Sequence, residues 1–492
     1  MNSRTLANLG VLGTQAMVAT GHPIAAHAAE EQLKAGGNAV DAAIAADAVL
    51  GVVEPMATGV GGDMLAMLVT PEGKAISYNG TGRAPLAMNA ELVADFPQQK
   101  IPERHPYSVT VPGLVQGWHD LHARYGRRPW QSLFSRAIAL ARDGFEVAPV
   151  AAREWALFQP VIARTPEATE LYRANQVPKP CDIFSNPALA QLLQEIAESG
   201  PTAFYSGRIP QATERLMKRY SGLLTAKDFA AHTGNFCEPA TAKFKGVDIH
   251  ECPPNTHGVA VLHALTALDH VELHMDTPDT MVAMVNAMQD AMDYAQKTVA
   301  DPAGNTVCTT VVDGDGFAIT LMSSIFKRFG SGYVVPEGGF ALQNRGHGFS
   351  QPGHINGPAP GKRPYHTVVP GAATKNGKFH ACFGVVGGAM QPQGQVQLLS
   401  RILAAGEMPQ TALDKPRWRL EGRRLLAIES GNPQDVIDAL RAAGYPEPEG
   451  LGELGGRSDF GGAQFILRLP DGRLCGASDK RKDGMALAVN IN

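Results

Sequence analysis

Asn305-Thr306-Val307-Cys308-Thr309-Thr310-Val311-Val312-Asp313-Gly314-Asp315-Gly316, followed by Phe317-Ala318-Ile319-Thr320-Leu321-Met322-Ser323-Ser324, is the stretch that decides the fold. Two β-rich runs flank Asp-Gly-Asp-Gly, and Asp-Gly between such runs signals a hairpin because glycine takes the positive φ that a tight turn demands. Pro302-Ala303-Gly304-Asn305 reads as a turn just upstream, which puts Thr306 at the very start of the first strand. A threonine hydroxyl is a weak nucleophile unless a base sits beside it, and a threonine at a chain start carries that base as its own α-amine. Such an amine has a pKa of about 7.7–8.0 and takes the hydroxyl proton near neutral pH.

The chain has 492 residues, 44% hydrophobic and 18% charged. That is enough apolar material for a sizeable core, and enough length for about three domains or one large layered α/β unit. A net charge of −4 argues against nucleic acid or an acidic membrane surface as partner. The longest apolar run, residues 39–53, contains Asp41 and Asp47 and falls short of a membrane span. Residues 1–8 lack the basic-then-apolar pattern of an export signal, so a cytoplasmic location is expected. The six cysteines (Cys181, Cys237, Cys252, Cys308, Cys382, Cys475) include no Cys-x-x-Cys pair; they form neither a zinc site nor a disulfide framework, and free thiols are expected. Cys308 is close to Thr306, but inside an apolar strand it reads as a packed core thiol. His270 and His274 have the i, i+4 spacing of a helix face. A zinc site needs a third ligand, and Glu272 is not placed as in His-Glu-x-x-His, so neither metal nor cofactor is expected.

Along the chain, residues 24–52 read as Ala-rich helices broken at Gly36-Gly37, with Asn38 capping the second. A glycine loop (Gly59, Gly61, Gly62) leads to a strand at 64–69 and a hairpin partner at 75–78. Residues 115–300 alternate helices and loops, with one amphipathic helix at 130–142 stopped by Gly144. Beyond Thr306 the pattern is mostly strand until helices near 391–405 and 433–443, and residues 351–364 form a long Pro/Gly-rich loop. There is no internal repeat.

A series of motifs then runs in order through the chain: His22-Pro23, Ala35-Gly36-Gly37-Asn38-Ala39-Val40-Asp41, Gly51-Val52-Val53-Glu54-Pro55, Gly59-Val60-Gly61-Gly62, Val111-Pro112-Gly113, Gly361-Lys362-Arg363-Pro364, Gly387-Gly388 and Gly476-Ala477-Ser478-Asp479. By these the chain resembles the γ-glutamyltranspeptidase family of N-terminal-nucleophile (Ntn) hydrolases over almost its whole length. The resemblance implies an α/β fold, a four-layer αββα sandwich, and self-cleavage between Asn305 and Thr306. The products would be a large-subunit region, 1–305, and a small-subunit region, 306–492, in one intertwined unit; oligomeric state stays open, a homodimer of such heterodimers included. It further implies Thr306 as nucleophile, the Gly387 and Gly388 N–H groups as oxyanion donors, and Ser324 as a hydroxyl bonded to the nucleophile. Arg481 reads instead as a structural ion-pair former.

Several positions depart from the family pattern. The arginine that grips a substrate α-carboxylate falls on Thr81, with Arg83 displaced two positions. The aspartate that holds the α-amino group falls on Gly348, the paired serines on His366 and Thr367, and an asparagine on Phe326. Losing the aspartate removes the partner of a substrate ammonium, while Arg83, Arg345 and His366 offer positive charge. Arg83, Arg345, His366 and Thr367 are therefore the expected substrate-binding residues, and the expected substrate is a small amide with a carboxylated acyl group, of glutaryl or oxamate type. This resembles the acylase-like branch, where Gln343-Asn344-Arg345-Gly346 and Met390-Gln391-Pro392-Gln393-Gly394 also fit. For Arg345 alone, a surface ion pair is the competing reading. The competing functions are a glutathione hydrolase or γ-glutamyltransferase with a rearranged pocket, and an uncleaved, inactive binding relative.

Overall fold

The Asp313–Gly316 turn forms as expected: strand Asn305–Val312 pairs antiparallel with Ala318–Phe326, Val312 opposite Ala318 and Val307 opposite Ser323. One Asp313 carboxylate oxygen accepts the N–H groups of Asp315 and Phe317, and the other accepts that of Ala39. The turn is thereby tied to the start of the helix Ala39–Val53. This is seen in a computed structural model that describes residues 9–299, 305–448 and 460–491. The turn expected at 302–305 falls largely outside these described residues.

The hairpin is the centre of a seven-stranded sheet, in the order Met485–Val489, Ala16–Thr20, Asn305–Val312, Ala318–Phe326, Asp63–Val69, Ala75–Gly80, Asn235–Cys237. A second seven-stranded sheet has the order Val11–Gly13, Leu474–Ser478, Gly462–Arg468, Lys378–Val386, Gly371–Lys375, Val247–Glu251, Ala240–Phe244. Neighbouring strands in both are antiparallel. Both draw strands from each side of position 306.

Side chains alternate across a strand, so each sheet buries two faces. Met17, Leu65, Cys308 and Met322 of the first sheet meet Ala372, Cys382 and Ile466 of the second in a core between them. On its other face the first sheet packs Val307, Val311 and Leu321 against a helical layer that includes Ala39–Val53. The second sheet packs Ile249, Phe383 and Phe465 against Gly258–Leu268, Pro278–Thr298 and Met390–Leu399. Helix, sheet, sheet, helix is the four-layer sandwich.

Two helices position the site. Ala39–Val53 is buried along its entire length, which its small side chains permit. Asn38 and Asp41 form a capping box at its start, satisfying N–H groups that the helix leaves open. Met390–Leu399 is also wholly buried although it carries four glutamines. Gln391 and Gln395 face one way: Gln391 Oε1 accepts the Val369 N–H at 3.0 Å, and Gln395 Nε2 donates to the Val369 carbonyl at 2.6 Å. Gln393 and Gln397 face the other way and bind both backbone groups of Leu420 and of Trp418, respectively. Each amide supplies the partner that backbone groups on the open edge of a passing segment would lack.

Two sequence expectations change. Residues 130–142 are not one helix: a 3₁₀ turn, Trp130–Leu133, is followed by the helix Ser135–Asp143, which ends at Gly144. At the break the Trp130 and Phe134 rings pack edge to face, 4.7 Å apart. His270 and His274 share no helix face; both are exposed in the loop after Gly258–Leu268. All six cysteines are free, and among the described residues no helix is long and apolar enough to cross a membrane.

Candidate active site

Thr306 is buried, at the start of a central strand. The ladder is irregular there: Asn305 faces Phe326 and Val307 faces Ser323, so Thr306 alone stands against both Ser324 and Ile325. Such bulges re-aim side chains. Alternation from Cys308 and Met322, which lie between the sheets, gives Thr306 and Ser324 that same face. Asp63, in register with Ser324 on the next strand, shares it by alternation from Leu65. The side chain of Ser324 is held by its own turn, its Oγ accepting the Phe326 N–H at 2.8 Å.

Gln391 Nε2 donates to Thr306 Oγ1 at 2.7 Å. Because Oε1 of the same amide is committed to the Val369 N–H, its orientation is fixed. Just ahead of this helix, Gly387 and Gly388 have φ of 121° and 62°, values that suit glycine. A Cβ on Gly387 would also stand 3.1 Å from the Gly461 Cα. Gly461 is pinned in turn: Arg417 Nη1 donates to the Phe460 and Gly461 carbonyls, and Arg417 Nη2 lies 2.5 Å from Asp479. Arg481 bonds Asp479 and Glu429, so it is a structural ion-pair former, as its sequence context implied.

Arg345, His366 and Thr367 come together, fully buried, around Asp63. His366 Nε2 donates to Asp63 Oδ1 at 2.8 Å, while its Nδ1 accepts the Val368 N–H. The ring is thus the neutral Nε2–H tautomer, and burial together with Arg345 pushes its pKa down to about 4. Burial alone would raise the Asp63 carboxyl, but His366, Arg345 and the Gly82 N–H outweigh it and hold the pKa at about 2. Arg345 is less well served. Its Nη1 reaches Thr367 Oγ1 at 3.3 Å and its Nη2 reaches Asp63 at 3.5 Å, while its Nε has no partner among the described residues. Burial pulls its pKa down to about 10, well above neutrality. The guanidinium lies 4.3 Å over the Phe326 ring, a cation–π contact. Phe326 itself has φ of 75°, a strained value of the kind that collects at functional sites.

These placements revise the expected charges. Arg345 is in an ion pair, but a buried one rather than at the surface. His366 is neutral and adds no positive charge. Arg83 does not join the cluster; it is half-buried and donates to the Gly361 carbonyl. Thr81 bonds Asn79, and Gly348 accepts from Asn356 through its carbonyl. Cys308 is buried and its thiol is pushed well up by that burial, leaving it a core residue. Among the described residues no group of three or more His, Cys, Asp or Glu is arranged to hold a metal ion.

Sequence reasoning missed Asp63 and gave Gln391 no role. The signal for Asp63 was a lone acid opening the apolar run Met64-Leu65-Ala66-Met67-Leu68-Val69 behind a glycine loop. For Gln391 it was glutamine at every second position of a helix packed between apolar layers. A further buried acid lies on the opposite face of the hairpin. Asp47 accepts from Ser323 Oγ at 2.6 Å and Trp118 Nε1 at 2.8 Å, and Ser323 shares a hydrogen bond with Thr58. Burial raises the Asp47 pKa to about 7.

Two antiparallel sheets face to face between helical layers, with the candidate site at their interface, make the protein an enzyme of the Ntn-hydrolase class. More particularly, the chain belongs to the gamma-glutamyltranspeptidase family, whose family model matches residues 25–307 and 293–489. It is 30% identical to the glutathione hydrolase-like YwrD proenzyme of Bacillus subtilis (strain 168), over 98% of this chain and 100% of that one. It is 31% identical to the oxamate amidohydrolase proenzyme of Klebsiella pneumoniae subsp. pneumoniae, over 96% and 98%. Its structure matches that of cephalosporin acylase from Bacillus halodurans with a TM-score of 0.91 and 34% identity, covering 98% of this chain and 97% of the other.

Proposed function

We propose that the chain is a proenzyme that cuts itself between Asn305 and Thr306 and then hydrolyses a small amide whose acyl group bears a carboxylate. The observation that carries this reading is the pairing of a buried, hydrogen-bonded Thr306 hydroxyl with a buried, under-bonded Arg345 guanidinium at the same end of the inter-sheet space. A guanidinium has five donors and matches a carboxylate with two parallel bonds. Among the described residues its side-chain bonds are two long ones, so donor capacity is left for an incoming acid. The relatives named for oxamate amidohydrolase and cephalosporin acylase activity favour the same choice.

In the processed enzyme, comprising 1–305 and 306–492, the Thr306 α-amine takes the hydroxyl proton as Oγ1 bonds to the amide carbon. The carbonyl electron pair moves to oxygen, where the Gly387 and Gly388 N–H groups stabilise the oxyanion. The pair returns, the C–N bond breaks, and the amine leaves with the proton. Water then cleaves the ester, releasing the acid and restoring the hydroxyl. Arg345 holds the distant carboxylate, and Ser324 lines the nucleophile's side of the strand.

The test is intact mass and a denaturing gel on wild type and Thr306→Ala, followed by kcat/KM for matched glutaryl and γ-glutamyl anilides, with oxamate assayed by ammonia release. Two fragments from wild type, one chain from the variant, and preference for the substrates lacking an α-amine are expected. A γ-glutamyl preference returns the site to glutathione hydrolysis. A wild-type chain that stays whole yet hydrolyses amides rejects the N-terminal nucleophile.

A further inference from the structure

We infer that Gln391 is a catalytic residue that acts as a fixed hydrogen-bond donor to the Thr306 oxygen, in self-cleavage and in amide attack alike. The inference deepens the preceding reading and rests on Thr306 being the nucleophile.

A carboxamide has one donor end and one acceptor end, and it is neither a base nor an acid near neutral pH. The acceptor end of Gln391 is taken by the Val369 N–H, and the Val369 carbonyl is taken by Gln395, one helical turn on. Gln391 is fully buried. The amide therefore has no alternative rotation that keeps these bonds, and Nε2–H faces Thr306 Oγ1.

A donor at this position does two things. It occupies one lone pair of Oγ1, so the hydroxyl proton must point away from Gln391, toward whatever base removes it. It also meets the negative charge that grows on Oγ1 as that proton leaves, and a hydrogen bond to an ionised oxygen is roughly twice as strong as one to a neutral oxygen. The stabilisation thus increases along the reaction, which is the condition for accelerating it.

The same geometry serves the uncut chain. There Oγ1 attacks the Asn305 carbonyl carbon, the O–C bond forms, the C–N bond to Thr306 breaks, and the hydroxyl proton ends on the Thr306 nitrogen. Water then hydrolyses the ester, leaving an Asn305 carboxylate, the Thr306 hydroxyl and a free amine. Gln391 gives and takes no proton in either reaction.

The experiment compares Gln391→Glu, Gln391→Met and, as a control, Gln393→Met, which loses bonds to Leu420 on the far side of the same helix. Gln391→Glu keeps shape and the Val369 bond but turns the group facing Thr306 into an anionic acceptor. Self-cleavage is followed by intact mass from freshly purified precursor, and kcat and KM are measured across pH on the processed enzyme. Removing the donor should slow self-cleavage and lower kcat roughly ten- to a hundredfold, with KM little changed. Gln391→Glu should be slower still near neutral pH and recover partly in acid, where the carboxylic acid becomes a donor again. Gln393→Met should melt earlier yet cleave at the wild-type rate. Cleavage and kcat within twofold of wild type in Gln391→Glu would overturn the inference; that variant is nearly isosteric and carries the test even if Gln391→Met does not fold. If Thr306→Ala abolishes activity while both Gln391 variants behave normally, only this inference fails. If Thr306→Ala stays active, the underlying reading fails with it.

Discussion

His366 and Asp63 meet at 2.8 Å, fully buried, 303 positions apart in the sequence. Each end of this bond is further committed, Asp63 to the Gly82 N–H and His366 to the Val368 N–H. Among the described residues the Asp63 carboxylate is the one charge set against Arg345. Asp63→Asn keeps the shape and leaves a buried guanidinium uncompensated. Breaking a buried pair this way costs about 3–5 kcal/mol. Denaturant unfolding of the two proteins should show that loss; a difference below about 1 kcal/mol would mean that water reaches the pair.

Arg345→Met should separate substrates rather than abolish turnover. Methionine fills most of the space over Phe326 but offers no donors. For a carboxylated acyl group kcat/KM should drop about ten- to a hundredfold, the worth of a charged hydrogen bond. An uncharged acyl amide of the same length should change much less. Equal losses on both substrates would assign Arg345 to the framework instead.

Asp47 predicts a pH effect of defined sign. Its folded pKa, about 7, lies above the ordinary value of 3.8, so the folded chain holds this proton more tightly. The contribution is present below pH 3.8 and is lost as pH rises through 7, by something on the order of 4 kcal/mol in total. Asp47→Asn has no such titration, and its amide can donate to Ser323 if the Ser323–Thr58 hydroxyls reverse direction. Measured at pH 4.5, 6 and 8, the variant should gain stability relative to wild type at each step. A gap that does not move with pH would show that Asp47 titrates normally.

Gln397 offers a test of the buried amides. Gln397→Met conserves volume but leaves the N–H and carbonyl of Trp418 without their partner. Each orphaned buried group costs about 1–3 kcal/mol. A midpoint shift in denaturant of that size, with unchanged slope, is expected; a neutral outcome would require the Trp418 strand to find another partner.

Legibility from sequence followed the range of the interactions. The hairpin around Asp313, the capped helix at Asn38 and the strand pair at 64–78 are written in neighbouring residues, so period and turn chemistry revealed them. The broken helix at Phe134 was not, since the apolar period of 130–142 does not mark the 3₁₀ turn at its start. At the candidate site, Thr306, Gly387 and Gly388 were singled out through family motifs, and Arg345, His366 and Thr367 through departures from those motifs. That His366 is neutral depends on Asp63 and on the Val368 N–H, and the first of these partners is hundreds of residues away. Arg83 was near in sequence to a binding position, but its side chain turns to Gly361. Gln391 was invisible as a reactive group because glutamine acquires direction only from what holds its other end.

The order of strands in the first sheet has a consequence for ownership. Ala16–Thr20 lies between Met485–Val489 and Asn305–Val312, so a strand from before position 306 is sewn between two from after it. In the second sheet, Val11–Gly13 forms one edge and Val247–Glu251 with Ala240–Phe244 the other, enclosing four later strands. Severing the backbone at 306 leaves two polypeptides that cannot drift apart while either sheet persists. Partners would be lifelong: halves of separate molecules could not trade places in a mixture, and hybrid enzymes would arise only by unfolding and refolding together.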